Sequence, residues 1–284
     1  MSVTHAVSLT SRLTAAARAR ESRRADRLFD DPWAEAMVGP EGVALMDRIE
    51  AAARPLDSDL PAENPYIAIR TRFIDEFIAA ELARPELRQV VLVAAGLDSR
   101  AFRLAWPPYL RLFEIDVPEV LSAKQENLDR LGARPACDRR CIAVDLAAQW
   151  DGKIGEAGFD RHAPALWVIE GLFPYLEEDL AHAVIGKCSS LSAPGSRLAA
   201  DVVSRTFIES PWTQPYLRVL ERENAPWKFG TNEPEALFAR YGWRATVRRP
   251  GDEGANYGRW PYRAPPRNTP GFPESFLITA ARET

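Results

Sequence analysis

Three residues at the ends of short apolar runs have types and spacing suited to binding a nucleotide. An apolar run at residues 90–93 ends at Ala94 and Gly96, and a second run at residues 110–115 ends at Asp116. Gly96 and Asp116 lie about 20 residues apart, the separation expected between the turn glycine of a nucleotide-binding sheet and the acid that grips a ribose diol. A carboxylate suits that diol because it accepts two hydrogen bonds at once. An ordinary parallel-sheet core with a tight turn accounts for these residues equally well.

The loop between the two runs argues against a dinucleotide. A pyrophosphate is held by a glycine-rich loop whose backbone amides approach it closely. Here Gly96 is the single glycine of the loop, and Asp98 would repel a pyrophosphate. A cofactor with no phosphate and a net positive charge, such as S-adenosylmethionine (SAM), is compatible with that carboxylate. The loop therefore favours a methyltransferase over a nicotinamide-dependent dehydrogenase.

Further charged residues lie where such a site needs them. Residues 66–83 have helical apolar spacing, and either Arg70 or Arg72 on this helix could hold a carboxylate in a fork geometry, although a solvated surface arginine is the simpler interpretation. A third apolar run at residues 141–144 ends at Asp145 and Leu146, which in a Rossmann-like methyltransferase would contact adenine. A helix N-cap is the competing explanation for Asp145. A fourth strand, at residues 165–169, is followed directly by Glu170.

Aromatic residues suggest a pocket wall for an apolar or aromatic substrate, although they could equally cover a sheet edge. They follow the fourth strand and recur in two Pro-containing segments, at residues 207–230 and 250–273. The candidates are Phe173, Tyr175, Trp212, Tyr216, Trp227, Tyr257 and Trp260.

The elements that must position these residues alternate between strand and helix. This order predicts an α/β protein with a Rossmann-like doubly wound sheet, mostly parallel and with an antiparallel last strand. We expect a single domain over residues 1–284, with a helical lid region at 1–65 and the two aromatic segments forming a cap. Further strands are expected at residues 197–203, 243–248 and 275–281.

Composition narrows the possible partners and the compartment. A net charge of −4 gives no footprint for nucleic acid, and no long apolar run predicts a membrane span. We therefore expect a cytoplasmic protein. The three cysteines and three scattered histidines form no recognisable metal-ligand set, so no metal is expected. A homodimer is compatible with the aromatic insert.

Over nearly its whole length the sequence resembles the leucine carboxyl methyltransferase superfamily of SAM-dependent methyltransferases, and especially its actinobacterial branch that includes polyketide O-methyltransferases. The resemblance extends from residues 23–32 to residues 276–282. Its most specific marks are an ARTRF-D-like segment at 69–75, a GAGLDSR-like segment at 94–100, FE-D at 113–116 and EGLFPYL at 170–176.

The resemblance implies SAM as cofactor and gives each site residue a role. It implies Arg70, or alternatively Arg72, at the SAM carboxylate and Glu170 at its amino group. It places Ala94 and Gly96 beside the methionine moiety, with Asp98 and Arg100 in the same loop, Asp116 at the ribose, and Asp145 and Leu146 at the adenine. The family usually has Gly where this chain has Ala94. If that position needs a positive φ, Ala would be strained there by roughly 1 kcal/mol.

The expected activity is SAM-dependent O-methylation of a small, aromatic or polyketide-like acid or phenol. No Ser/His/Asp or Cys/His set is apparent, which favours an acceptor such as a carboxylate that is already ionised at pH 7. An arginine from the cap could pair with that anion. A protein or peptide C-terminal carboxyl methyltransferase and a catalytically silent SAM-fold binding protein remain as alternatives.

Overall fold

The computed structural model describes residues 3–52, 64–267 and 269–282. Within these residues seven strands form one sheet of order β3-β2-β1-β4-β5-β7-β6. Strands β1 to β5 are parallel, whereas β7 runs antiparallel to both of its neighbours, β5 and β6. The strands are β1 (Gln89–Val93), β2 (Arg111–Asp116), β3 (Asp138–Ala143), β4 (Leu166–Ile169), β5 (Arg197–Val203), β6 (Trp243–Arg248) and β7 (Ser275–Arg282).

Helices connect the parallel strands and precede the sheet. They are α1 (Val3–Ser22), α2 (Ala34–Ala52), α3 (Tyr66–Glu81), α4 (Arg100–Arg103), α5 (Pro118–Arg130), α6 (Asp151–Glu156), α7 (Glu178–Ser190), α8 (Arg205–Glu209), α9 (Gln214–Arg222) and α10 (Pro234–Ala239), with a 3₁₀ turn at Phe173–Tyr175. This architecture confirms the predicted Rossmann-like sheet with an antiparallel last strand. No helix among the described residues has the length and apolarity needed to cross a bilayer.

Two element boundaries differ from the sequence expectation. Strand β3 begins at Asp138, before the apolar run at 141–144, because it is an edge strand whose charged residues face solvent or form ion pairs. The second helix, which the sequence predicts near residues 42–53, begins at Ala34 and bends at Gly39, where φ is 63° and Pro40 follows. The proline-rich segment at residues 54–65, which the sequence predicts to be a loop, lies mainly outside the described residues.

The core lies on both faces of the sheet, as parallel strands covered by helices require. Alternate residues of β1 point to opposite faces: Val91 and Val93 pack in one cluster, Val90 and Leu92 in the other. Every residue of β1 is buried. This explains why β1 reads as a continuous apolar run.

The topology brings the connecting loops to one edge of the sheet. Since β5 and β6 both pair antiparallel with β7, β6 runs in the same direction as β1 to β5. The carboxyl ends of these six strands therefore share an edge, and the connection from β6 to β7 begins and ends there. Ligands of open α/β sheets bind outside this edge.

Candidate functional site

A cavity of about 1430 Å³ opens above the carboxyl edge of the sheet. Its floor is formed by the residues that end β1, β2, β3, β4 and β5. Its walls come from α1, α2, the α8–α9 region and the connection between β6 and β7. The cavity therefore joins the predicted cofactor turn to the predicted cap in one continuous space.

The turn after β1 is tied directly to the acid after β2. The Gly96 N–H donates to Asp116 Oδ2 at 2.7 Å, and the Val117 N–H donates to Asp116 Oδ1 at 2.7 Å. Each carboxylate oxygen retains a second lone pair that can accept a hydroxyl. Burial raises the pKa of Asp116. This carboxylate is therefore fixed in place and can still accept from a ribose diol.

Ala94 has a left-handed backbone with φ 54°, and Gly96 has φ 48°. The strain anticipated for alanine at this position is therefore present in the structure. It amounts to about 1–2 kcal/mol for an L-residue with a Cβ. Both residues line the cavity.

Arg70 lies at the centre of a buried ionic network at the ends of β4 and β5. Its Nε donates to Glu170 Oε1 at 2.9 Å and its Nη1 donates to Asp201 Oδ2 at 3.0 Å. Burial alone would lower the pKa of Arg70, but Asp201 and Glu170 outweigh it and raise that pKa above its usual value. The guanidinium lies against Gly171, where an added Cβ would come within 3.3 Å of both Nη atoms. Arg70 keeps further N–H donors for a ligand carboxylate.

Asp98 and Arg100 form a second ionic group beside Glu170. Arg100 donates to Glu170 Oε2 at 2.6 Å and to Asp75 Oδ1 at 2.7 Å, and it also pairs with Asp98. Burial would raise the pKa of Asp98, but Arg100 outweighs it and lowers that pKa to about 2. For Glu170, burial is likewise outweighed by Arg100 and then Arg70, so its pKa falls below the usual value. Both carboxylates are ionised at neutral pH and suit a cationic ligand.

Asp145 and Leu146 line the cavity beyond the end of β3. Asp145 Oδ1 accepts from the Ala147 N–H at 2.8 Å and closes a local turn. The next helix, α6, begins only at Asp151, so the alternative interpretation of Asp145 as a helix N-cap is wrong. Its other carboxylate oxygen is available to an adenine amino group.

One wall of the cavity is aromatic. Trp227 packs against Tyr216 with ring centroids 5.2 Å apart, against Phe207 at 5.4 Å and against Tyr175 at 6.1 Å. Burial raises the pKa of both Tyr175 and Tyr216, so both hydroxyls are neutral donors at pH 7. Two tryptophans complete the predicted aromatic residues of this wall: Trp212 and Trp260.

Four predicted site residues do not line the cavity. Arg72 pairs with Glu76 and donates to the Leu28 carbonyl, so the geometry favours Arg70. Arg100 lies beneath the site and supports Glu170. Phe173 is buried in the core between Phe229 and Phe238, and the Tyr257 hydroxyl donates to Glu76.

The structure also places residues in the site that the sequence did not single out. Asp201 is 3% exposed and accepts from Tyr66, Arg70 and the Gly171 N–H. Arg18 on α1 donates to the Leu97 carbonyl at 2.6 Å and so ties α1 to the cofactor turn. An acid interrupting the apolar strand β5 was the available sequence signal for Asp201.

Known proteins are similar to this chain in both sequence and fold. The sequence profile described as Leucine carboxyl methyltransferase matches residues 11–189. A Saccharopolyspora erythraea protein, provisionally named an S-adenosyl-L-methionine-dependent methyltransferase, is 36% identical over 264 residues, covering 89% of this chain and 88% of its own length. A Mycobacterium marinum protein of the same name is 42% identical over 208 residues, which is 70% of this chain but 64% of that relative.

Two solved structures share the fold at low sequence identity. A duf574 family protein from Streptomyces avermitilis has a TM-score of 0.63 at 14% identity, covering 96% of this chain and 97% of its own. A Thermobifida fusca protein described as a methyltransferase has a TM-score of 0.61 at 18% identity, covering 86% and 89%.

Proposed function

The chain belongs to the leucine carboxyl methyltransferase family of SAM-dependent methyltransferases, and on that premise we propose that it methylates an oxygen of a small aromatic acid or phenol. SAM is the cofactor. The observation that carries the acceptor proposal is that one continuous cavity has both charged and aromatic residues in its lining.

The charged end fits the cofactor group by group. Arg70 has free donors for the methionine carboxylate, and Glu170 is an ionised partner for the amino group. Asp116 can accept from the ribose hydroxyls and Asp145 from the adenine amino group. When bound, SAM supplies an electrophilic methyl group. The surrounding carboxylates favour a cation at this end of the cavity.

The remaining space accommodates a second molecule. Pockets for one drug-sized ligand measure roughly 300–1,000 Å³, and this cavity measures about 1430 Å³. The acceptor side is lined by Tyr175, Tyr216 and Trp227, whose faces suit an aromatic ring. These residues orient the acceptor and exclude water, which is the main requirement for this type of transfer.

The titratable groups favour an acceptor that needs no strong general base. Neither His162 nor His182 lines the cavity, and burial raises the pKa of Tyr175 and Tyr216. A carboxylate with an ordinary pKa near 4 is ionised at pH 7 without assistance. A carboxylic acid or an acidic phenol is thus better suited to this site than an aliphatic alcohol.

Calorimetry and a labelled-methyl assay test the proposal in two steps. Binding of S-adenosylhomocysteine (SAH) should be saturable and should weaken in Asp116→Asn, whereas Asp129→Asn, an exposed carboxylate on α5, should bind as wild type. Transfer of labelled methyl groups to aromatic acids and phenols should then be detected. A folded protein with no SAH binding refutes the proposal. SAH binding with transfer only to peptide C-termini, or with no transfer, selects a peptide methyltransferase or a silent binding protein instead.

A further inference from the structure

The described cationic side chains of the cavity wall are, with one exception, paired with carboxylates of the protein. Six described cationic residues line it, and five pair with carboxylates. These five pairs are Arg18 with Asp31, Arg20 with Glu50, Arg70 with Glu170 and Asp201, Lys228 with Glu177, and Arg249 with Glu274. The sixth cation is Arg263, which forms no hydrogen bond or ion pair with any described residue.

Arg263 lines the cavity from the connection between β6 and β7. This connection leaves and rejoins the sheet at the carboxyl edge of the parallel strands, where β7 is next to β5 in the sheet order. Trp260, Tyr262 and Phe272 of the same connection also line the cavity, with the first two rings 4.9 Å apart. Arg263 therefore belongs to a segment that contributes three aromatic residues to the cavity lining.

The backbone that carries Arg263 is held on both sides. Arg259 donates to Glu21 Oε1 at 2.8 Å and to Asp26 Oδ2 at 2.6 Å, which joins the connection to α1 and the segment after it. Arg249 donates to the Pro265 carbonyl at 2.9 Å. Arg263 lies between these two attachment points, so its backbone is restrained while its side chain remains free for a ligand.

We propose that Arg263 recognises a carboxylate on an aromatic acceptor and makes the enzyme selective for anionic over neutral aromatic molecules. This proposal rests on the proposed function. A guanidinium offers a planar fork that matches a carboxylate. Among the described residues, the cavity-wall cation Arg263 has no carboxylate partner, so it can pair with an acceptor anion without breaking an existing ion pair.

The test measures binding to the SAH complex, using 1-naphthoate, 1-naphthamide and methyl 1-naphthoate as probes in calorimetric titrations. We expect wild type to bind 1-naphthoate about ten-fold more tightly than the two neutral probes, equivalent to about 1.4 kcal/mol. Arg263→Gln should remove this preference without changing the affinity for 1-naphthamide. Arg263→Lys should retain part of it, because the charge remains but the fork is lost.

The matched control is Arg218→Gln, because Arg218 is an exposed arginine of the cap that does not line the cavity. It should keep the full preference for 1-naphthoate. The proposal is overturned if wild type shows no preference for 1-naphthoate, or if Arg263→Gln retains the preference. If wild type does not bind SAH, the proposed function itself is refuted. Failure of the Arg263 proposal and failure of the proposed function are therefore distinguishable.

Discussion

Asp201 should be a determinant of both stability and cofactor affinity, and the substitution Asp201→Asn isolates its charge. The side chain is buried at the end of the cavity floor. Its Oδ2 accepts from the Tyr66 hydroxyl at 2.9 Å and from Arg70 Nη1 at 3.0 Å, while Oδ1 accepts from the Gly171 N–H at 2.6 Å. Asparagine preserves the shape and can keep the Gly171 hydrogen bond, but its amide nitrogen cannot accept from the other two donors.

The expected loss follows from the bonds that cannot be remade. Removing one partner of a buried ion pair typically costs about 3–5 kcal/mol. Here Glu170 continues to compensate Arg70, which reduces the loss. Two hydrogen bonds to a charged group, each contributing about 1.5 kcal/mol at the low end of the usual range, give a loss of about 3 kcal/mol. For a protein of 284 residues that corresponds to a fall in Tm of roughly 5 °C, at an unfolding entropy of about 2.1 cal/mol/K per residue.

Urea unfolding and calorimetric SAH titration would measure both effects. Tyr66→Phe is the matched control because it removes one hydrogen bond and leaves the Arg70–Asp201 pair intact. It should cost about 1–1.5 kcal/mol. The double variant should be less destabilised than the sum of the single variants, because the shared hydrogen bond is lost only once. A stability of Asp201→Asn within about 1 kcal/mol of wild type, with unchanged SAH affinity, would refute this account of the network.

Three further predictions concern the turn, the pH response and the aromatic wall. The free energy of unfolding of Ala94→Gly, measured in urea, should stay within about 1 kcal/mol of wild type. Relief of about 1–2 kcal/mol of backbone strain is offset by about 0.4–1 kcal/mol from the larger conformational entropy of the unfolded chain. Ala94→Val should lower the free energy of unfolding by about 2 kcal/mol or more. The pKa of Asp98 is lowered to about 2, so the ionised carboxylate stabilises the fold above its unfolded pKa, and this stabilisation is lost as the pH falls from about 4 to 2. The free energy of unfolding of Asp98→Asn should therefore fall less steeply than that of wild type over this pH range. Trp227→Ala should weaken 1-naphthoate binding by about ten-fold or more while leaving SAH affinity unchanged, and equal losses for both ligands would contradict the separation of the two ends.

The sequence predicted the parts of the site that depend on local order along the chain. The turn after β1 and the acid after β2 follow from apolar runs that end at particular residues, and Asp116 indeed contacts the Gly96 N–H. The positive φ of Ala94 was raised only as a condition by the resemblance, because the family usually has Gly at this position, and the structure gives φ 54° there. Such features need only the strand boundaries, which a buried parallel sheet makes visible in the sequence.

The ionic network required the folded structure. Arg70 and Asp201 are 131 residues apart, and Arg100 and Glu170 are 70 residues apart. Whether an arginine faces the ligand or a neighbouring carboxylate depends on how α3, the turn after β1 and the end of β4 pack together. Arg100 was therefore predicted in the cofactor site although it supports Glu170 from beneath. The same limitation left Arg70 and Arg72 as alternatives on one helix.

The position of β7 explains why the turn after β1 and the connection between β6 and β7 line one cavity. Its insertion between β5 and β6 makes β6 run in the direction of β5, so the connection between β6 and β7 leaves and rejoins the sheet at the cofactor edge. The parallel strands fix Asp116, Glu170 and Asp201, whereas this connection carries Arg263 on backbone that belongs to no regular element. Loops tolerate sequence change better than a buried sheet does. Under the proposed function, acceptor selectivity can therefore change through this connection while the residues at the strand ends remain in place.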